Sequence, residues 1–161
     1  MKRFGTIVGV ALAGIAAITI TAAAQAADPW IGTWKLNLAK STYSPGPKPT
    51  TAGIVKMESV AGGVKVTIDS KDDQGKPTHV EISGKFDGKD NPVVGSPTPN
   101  STDALKRIDA RSFEVAGKID GKPTVTTRVT VSADGKTMTA TQTGTSPQGQ
   151  AVKNTIVADR Q

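Results

Sequence analysis

The stretch Asp28-Pro29-Trp30-Ile31-Gly32-Thr33-Trp34-Lys35-Leu36 stands where an apolar leader gives way to the body of the chain. We interpret this stretch as the opening of the first β-strand, which we place from about Trp30 to Asn37. The chain has 161 residues, and about 135 of them follow the leader, which is a usual length for a single domain.

The leader has the three parts of a secretory signal peptide. Lys2-Arg3 forms a charged start, residues 4–20 carry no charge, and Ala24-Gln25-Ala26 is a cleavage site of small residues. We therefore expect a helical signal peptide over residues 1–26, with cleavage after Ala26, and one domain over residues 27–161. The alternative of an uncleaved anchor is less favoured, because the apolar stretch is shorter than the roughly 20 residues of a spanning helix.

The residue composition indicates where the protein acts. The sequence has no cysteine, which excludes disulfides and a lipid-modified cysteine, so we do not expect a lipoprotein. We expect a periplasmic or secreted protein with no membrane span after cleavage. Net charge is +6, or +4 without Lys2 and Arg3, and the lysines are scattered singly. Because no basic run is interleaved with aromatic residues, we expect no nucleic-acid partner.

Behind the leader, short apolar–polar alternations are separated by Gly, Pro and Asp-Gly turn signals. Residues 64–70 show the pattern most clearly, since Val64, Val66 and Ile68 alternate with polar neighbours. We expect irregular segments over residues 38–51 and from residue 87 to residue 101, where prolines lack a donor for a sheet ladder. The predicted strands cover residues 30–37, 52–60, 64–70, 77–86, 103–108, 111–119, 124–131, 137–141 and 151–158.

A meander of about nine strands with one apolar face can cover that face by closing into a barrel or by folding into a sandwich. Closure also removes exposed strand edges, which would otherwise pair with other chains. We therefore predict an all-β fold, an up-and-down antiparallel β-barrel of about 8–10 strands.

A set of motifs runs along nearly the whole mature chain. The motifs are Gly32-Thr33-Trp34-Lys35-Leu36, Pro45-Gly46-Pro47, Asp87 to Pro92, Leu105-Lys106-Arg107 and Asp134 to Thr139. The set resembles the calycin superfamily of lipocalins and fatty-acid-binding proteins. More narrowly, it is similar to a group of small exported bacterial lipocalin-like proteins of unknown function.

The resemblance implies a structural role for Gly32 and Trp34 in closing one end of the barrel. In that superfamily a basic side chain from a late strand packs across the tryptophan ring as a cation–π contact. Arg160 and Arg128 are the candidates here, and Arg160 is favoured. The loop over residues 38–51 holds too many prolines for the helical lid of fatty-acid-binding proteins.

The polar residues form no recognisable constellation for catalysis or metal binding. His79 is the single histidine and is expected on the polar face of a strand beside Glu81, whereas a catalytic triad needs a placed base. One histidine without cysteine makes no zinc site, and Asp69, Asp72 and Asp73 lack the calcium-loop pattern. We therefore expect no enzymatic activity, no metal and no cofactor.

The barrel interior is the remaining candidate site. A small barrel is either filled by side chains or holds one small ligand, and a lining of Val and Ile favours a cavity more than Phe and Trp do. Both a packed core and a cavity fit the sequence. The predicted ligand-binding positions are Met57, Val66, Ile68, Val80, Ile82, Phe86, Leu105, Phe113, Val115, Val129 and Met138, with Arg107 and Arg128 as candidate partners for a carboxylate. Further lining is expected from Ile54 or Val55 and from Val64, Ile119, Val125, Val131, Val152 and Ile156.

Two functions are consistent with these patterns. The first is a calycin that binds a small apolar or amphiphilic ligand inside the barrel. The second is an envelope-associated interaction or inhibitor module with a packed barrel, acting through the Pro-rich segments 41–50 and 91–100, whose prolines lower the entropy lost on binding. A cavity above about 300 Å³ distinguishes the first from the second.

Overall fold

Short runs of Thr, Val and Ile form ten antiparallel strands in residues 27–161, the part of the chain that the computed structural model describes. Neighbours in the chain pair as hairpins, and β1 pairs with both β2 and β10, so the meander closes into a barrel. The predicted all-β, up-and-down barrel is therefore confirmed. The expected signal peptide over residues 1–26 lies outside the described residues. The strands are β1 (Gly32–Leu36), β2 (Ile54–Val60), β3 (Gly63–Lys71), β4 (Pro77–Lys85), β5 (Asp87–Val94), β6 (Ser101–Asp109), β7 (Ser112–Ile119), β8 (Lys122–Val131), β9 (Thr137–Thr145) and β10 (Ala151–Arg160).

The barrel closes against β10 in two parts. β1 pairs with β10 over Trp34 to Leu36. Farther along β10, the loop after β1 replaces β1 as the partner of β10. Thr42 and Thr155 exchange backbone hydrogen bonds of 2.8 and 2.9 Å, and the Lys153 amide donates to the carbonyl of Ser44 at 2.8 Å. The first part of this proline-containing loop therefore belongs to the barrel wall.

The prediction of an irregular segment from residue 87 to residue 101 is wrong for its first half, which forms β5. This strand pairs with β6, but β4 contributes only Glu81 and Ile82 to the ladder on the other side. Because most of that side of β5 is unpaired, the strand accepts Pro92, which lacks an amide donor.

Aromatic side chains fill one end of the barrel, which we call the closed end. The ring of Trp30 packs at an angle against Phe113 and Phe86, with centroids 5.1 and 5.8 Å away. Trp30, Trp34 and Phe113 are fully buried. Each large aromatic side chain removes about 150–250 Å² of surface from water, so this end is the main apolar core of the domain.

Candidate ligand-binding cavity

The barrel interior beyond the closed end is hollow. It holds a cavity of about 420 Å³, and each of the ten strands contributes at least one lining residue. The inward positions recur every second residue, as in Val125, Thr127 and Val129 of β8. Small-molecule sites span about 300–1,000 Å³ and are mostly apolar, so this cavity has the size and lining of a binding site.

Most of the apolar positions expected in the interior line this cavity, although their part in ligand binding stays a prediction. Val80 and Phe86 do not line it: Val80 is half-buried on β4, and Phe86 packs against Trp30 at the closed end. Among the further positions, Val64 and Val131 are buried outside the cavity lining. Ile54 and Val152 also lie outside the lining. The predicted residues that do line the cavity are Val55, Met57, Val66, Ile68, Ile82, Leu105, Phe113, Val115, Ile119, Val125, Val129, Met138 and Ile156.

The two arginines considered as partners for a ligand carboxylate lie outside the cavity. The guanidinium of Arg107 stacks 4.8 Å from the ring centroid of Trp30 and 5.0 Å from that of Phe86. It donates to both carboxylate oxygens of Asp28 at 2.8 and 2.6 Å, and these hydrogen bonds raise the pKa of Arg107. Arg128 is exposed on β8, between two lining residues that point inward. Neither arginine therefore offers a cation to the interior.

Arg160 lies over the ring of Trp34, with its guanidinium carbon 4.2 Å from the ring centroid. The same guanidinium donates to the carbonyls of Ile31 at 2.9 Å and Gly135 at 2.7 Å, and also to the carbonyl of Pro29. One side chain therefore joins the end of β10, the turn before β9 and the segment before β1.

Gly32 makes room for this arrangement. Its φ of +139° is unfavourable for residues with a side chain, and a Cβ there would lie 2.5 Å from Nη1 of Arg160. The indole nitrogen of Trp34 donates to the carbonyl of Trp30 at 2.9 Å, so the ring is held on its edge as well as on its face. Together these contacts fasten the closed end.

Asp103 on β6 brings a carboxylate into the cavity lining. The side chain is half-buried, and within residues 27–161 no hydrogen bond or ion pair reaches its carboxylate. Burial raises the pKa of Asp103, because the charged form loses hydration. The other charged lining residue is Lys118, whose ammonium lies 2.9 Å from each carboxylate oxygen of Asp90.

A glycine lies beside Asp103 in the cavity lining. Gly117 of β7 is the partner of Asp103 in the ladder, and a Cβ at Gly117 would lie 3.3 Å from Oδ1 of Asp103. Further polar lining comes from Ser96, Ser101 and Thr124, which sit near the hairpin ends away from Trp30. We call Ser96, Ser101, Asp103 and Thr124 the polar rim. Val93, Ile119 and Val125 line the same end of the cavity, so its opening is mixed whereas its depth is apolar.

Most of the apolar lining positions were predicted from the sequence, whereas the polar ones were missed, as were Leu36, Val93, Ala140 and Ala158. Strand alternation marks the polar positions as well. Asp103 lies two residues from Leu105, and Gln142 lies two residues from Ala140, so each shares the inward face of its apolar neighbour.

The other side chains considered for chemistry lie on the surface. Nδ1 of His79 is 2.7 Å from Oδ1 of Asp69 across the β3–β4 ladder, and both side chains are more than half exposed. Among residues 27–161 no three His, Asp or Glu side chains come close enough together to bind a metal ion. The described part of the chain contains no helix with the length and apolar character needed to cross a bilayer.

No protein-family model and no curated protein matches this chain. The architecture, a closed barrel of ten antiparallel strands in chain order within residues 27–161, is compatible with a calycin-like fold.

Proposed function

We propose that this chain is an exported, non-enzymatic lipocalin-like protein that binds a small apolar or amphiphilic ligand inside its barrel. The observation that carries the proposal is the cavity of about 420 Å³, whose lining is mainly aliphatic. An apolar ligand placed there gains about 25 cal/mol for each Å² of apolar surface removed from water.

Membership of the calycin superfamily is part of the same proposal. It is supported by closure of the strands in chain order and by Arg160 lying across Trp34 at the closed end. A periplasmic or secreted location is supported by the charged start and apolar run of residues 1–26.

The alternative of an interaction module with a packed barrel has less support. It relied on two Pro-rich loops, but residues 91–94 of the second belong to β5. In the first, Thr42 and Ser44 are bonded to β10, which leaves a short exposed stretch from Pro45 to Lys48. The hollow interior also favours a ligand over a filled core.

The proposal is tested by comparing two valine variants. Val115 lines the cavity, whereas Val94 is 59 % exposed on the outside of the barrel. We expect Val115→Phe to reduce the volume and weaken the binding of an apolar fluorescent dye at least several-fold. Val94→Phe, the matched control, should bind the dye as the unaltered protein does.

Native mass spectrometry of gently purified protein, followed by solvent extraction, supplies the second measurement. We expect a bound small molecule that is lost in Val115→Phe. A protein that carries no extractable molecule and shows no saturable dye binding contradicts the proposal. Equal dye binding by the two valine variants also contradicts it, because the dye would then sit elsewhere.

A further inference from the structure

We propose that the ligand of this cavity is a cationic amphiphile, whose protonated amine binds the carboxylate of Asp103 while its apolar part fills the aliphatic depth. This assignment rests on the proposed function of the cavity and names the chemical class that the cavity selects.

Asp103 lacks a partner for its charge. An ionised carboxylate among apolar groups is unfavourable unless a charged or hydrogen-bonding group compensates it. Within residues 27–161 no side chain or amide does so for this carboxylate. Its neighbour Asn91 donates instead to the backbone carbonyls of Asp103 and Lys89, at 3.2 and 2.8 Å. An ammonium group would supply the absent partner through short, charge-assisted hydrogen bonds.

The position beside the Asp103 carboxylate on β7 carries no side chain. The inward position opposite Asp103 is Gly117, so no side chain from β7 occupies the place where a ligand head would lie. A Cβ at Gly117 would lie 3.3 Å from Oδ1 of Asp103 and 2.9 Å from the carbonyl oxygen of Val125, so a larger residue there would crowd the carboxylate. Because Asp103 is itself a half-buried residue of the lining, the cavity is the side from which a ligand head group would reach its carboxylate.

The order of side chains along β6 suits an amphiphile. Leu105, Asp103 and Ser101 follow one another on the inward face, from the closed end toward the polar rim. With a rise of about 3.4 Å per residue, Asp103 lies about 7 Å farther toward the rim than Leu105. A tail seated against Leu105 and Phe113 thus places a terminal head group at the level of Asp103.

The charges of the lining also act against an anionic ligand. A carboxylate head at the polar rim would meet Asp103 at close range, and like charges in such a position are repulsive. The ammonium of Lys118 does not compensate, because both oxygens of Asp90 already bind it. A fatty acid should therefore bind less tightly than a neutral molecule of the same chain length.

The test uses decylamine, decanol and decanoate, which share one chain length and differ in their head groups. By isothermal titration at neutral pH, we expect the amine to bind about tenfold more tightly than the alcohol, and decanoate to bind more weakly than the alcohol. Asp103→Asn should reduce the affinity for the amine to that which the same variant shows for decanol. Retained decanol binding shows that the variant keeps its cavity.

Two control variants distinguish amine binding at Asp103 from a general charge effect and from adsorption to the surface. Asp73→Asn removes the same charge from an exposed turn and should leave all three affinities unchanged. Val115→Phe should weaken all three, since a surface-adsorbed amine would not respond to it. Equal affinity for amine and alcohol, or amine binding unaffected by Asp103→Asn, overturns the cationic class while the cavity function stands. Absence of saturable binding for every compound overturns the proposed function as well.

Discussion

Two arginine side chains cover the closed end of the barrel, and they are held by different kinds of contact. Arg107 lies over Trp30 and forms its ion pair with Asp28 at the surface, where salt and solvent screen the charges. Arg160 lies over Trp34 and donates to neutral backbone carbonyls. Its contacts depend on the planar fork of the guanidinium rather than on net charge, so a lysine cannot replace it.

We therefore predict that Arg160→Lys lowers the free energy of unfolding by about 1–2 kcal/mol, because the stacking and at least one hydrogen bond are lost. Urea denaturation followed by tryptophan fluorescence measures the change. Arg111→Lys, at an exposed turn residue, is the matched control and should stay within about 0.5 kcal/mol of the unaltered protein. Equal stabilities of the two variants would show that the Arg160 guanidinium does not fasten this end.

Individual residues also show which positions of the site could be predicted from the sequence and which could not. Strand alternation predicted inward positions such as Val66 and Val129 correctly, because a two-residue period follows from strand geometry alone. Arg107 shares the inward face of Leu105, yet its long side chain leaves the interior at the strand end and covers Trp30. That position depends on where the segment before β1 packs, and no local pattern in the sequence encodes it.

Among the neighbouring strands, β4 and β5 share the shortest ladder, and we call this part of the barrel wall the β4–β5 seam. Their ladder comprises Glu81↔Val94 and Ile82↔Val93, whereas β8 and β9 pair continuously from Val125↔Gly144 to Val131↔Met138. The sequence prediction failed here for a related reason. Asp87-Gly88 and Pro92 are turn signals, and β5 tolerates them because the seam makes few ladder bonds.

Backbone amides in residues 83–91, at this seam, should exchange with deuterium faster than those of β8 and β9. Local opening needs less free energy where few backbone hydrogen bonds are broken. Hydrogen exchange followed by NMR or mass spectrometry compares the two regions in one sample, so β8 and β9 serve as the internal control. Equal protection of the two regions would mean that the barrel opens as a single unit.

Taken as a whole, the barrel combines a tightly packed end with a hollow opposite half. The pattern of strands and turns predicted a barrel, but both a filled and a hollow interior fitted the sequence. Small inward residues such as Gly117 and Ala140 leave room for the cavity, which is enclosed only once all ten strands have closed into the barrel. The sequence contains no cysteine, so this hollow half is held open by the strand ladders and the closed end.

Stability of the whole barrel should depend on pH through Asp103. Burial raises the pKa of Asp103 in the folded state, so folding favours the protonated carboxyl, and this contribution to stability is lost as pH rises through the folded-state pKa. The other charged residue of the lining, Lys118, is already paired with Asp90. Asp103→Asn should therefore be more stable than the unaltered protein at neutral pH.

The difference in stability between Asp103→Asn and the unaltered protein should shrink as pH falls below the ordinary aspartate pKa, because the carboxyl is then protonated in both the folded and the unfolded state. Urea denaturation between pH 3 and pH 7 measures this difference in stability, with Asp73→Asn as the control for removal of an exposed charge. A variant less stable than the unaltered protein at neutral pH would mean that the carboxylate has a stabilising partner. Asp103→Asn should thus stabilise the empty barrel and also abolish its selectivity for the amine. Urea denaturation and isothermal titration of this one variant therefore connect the unfavourable burial of Asp103 to its proposed role in amine binding.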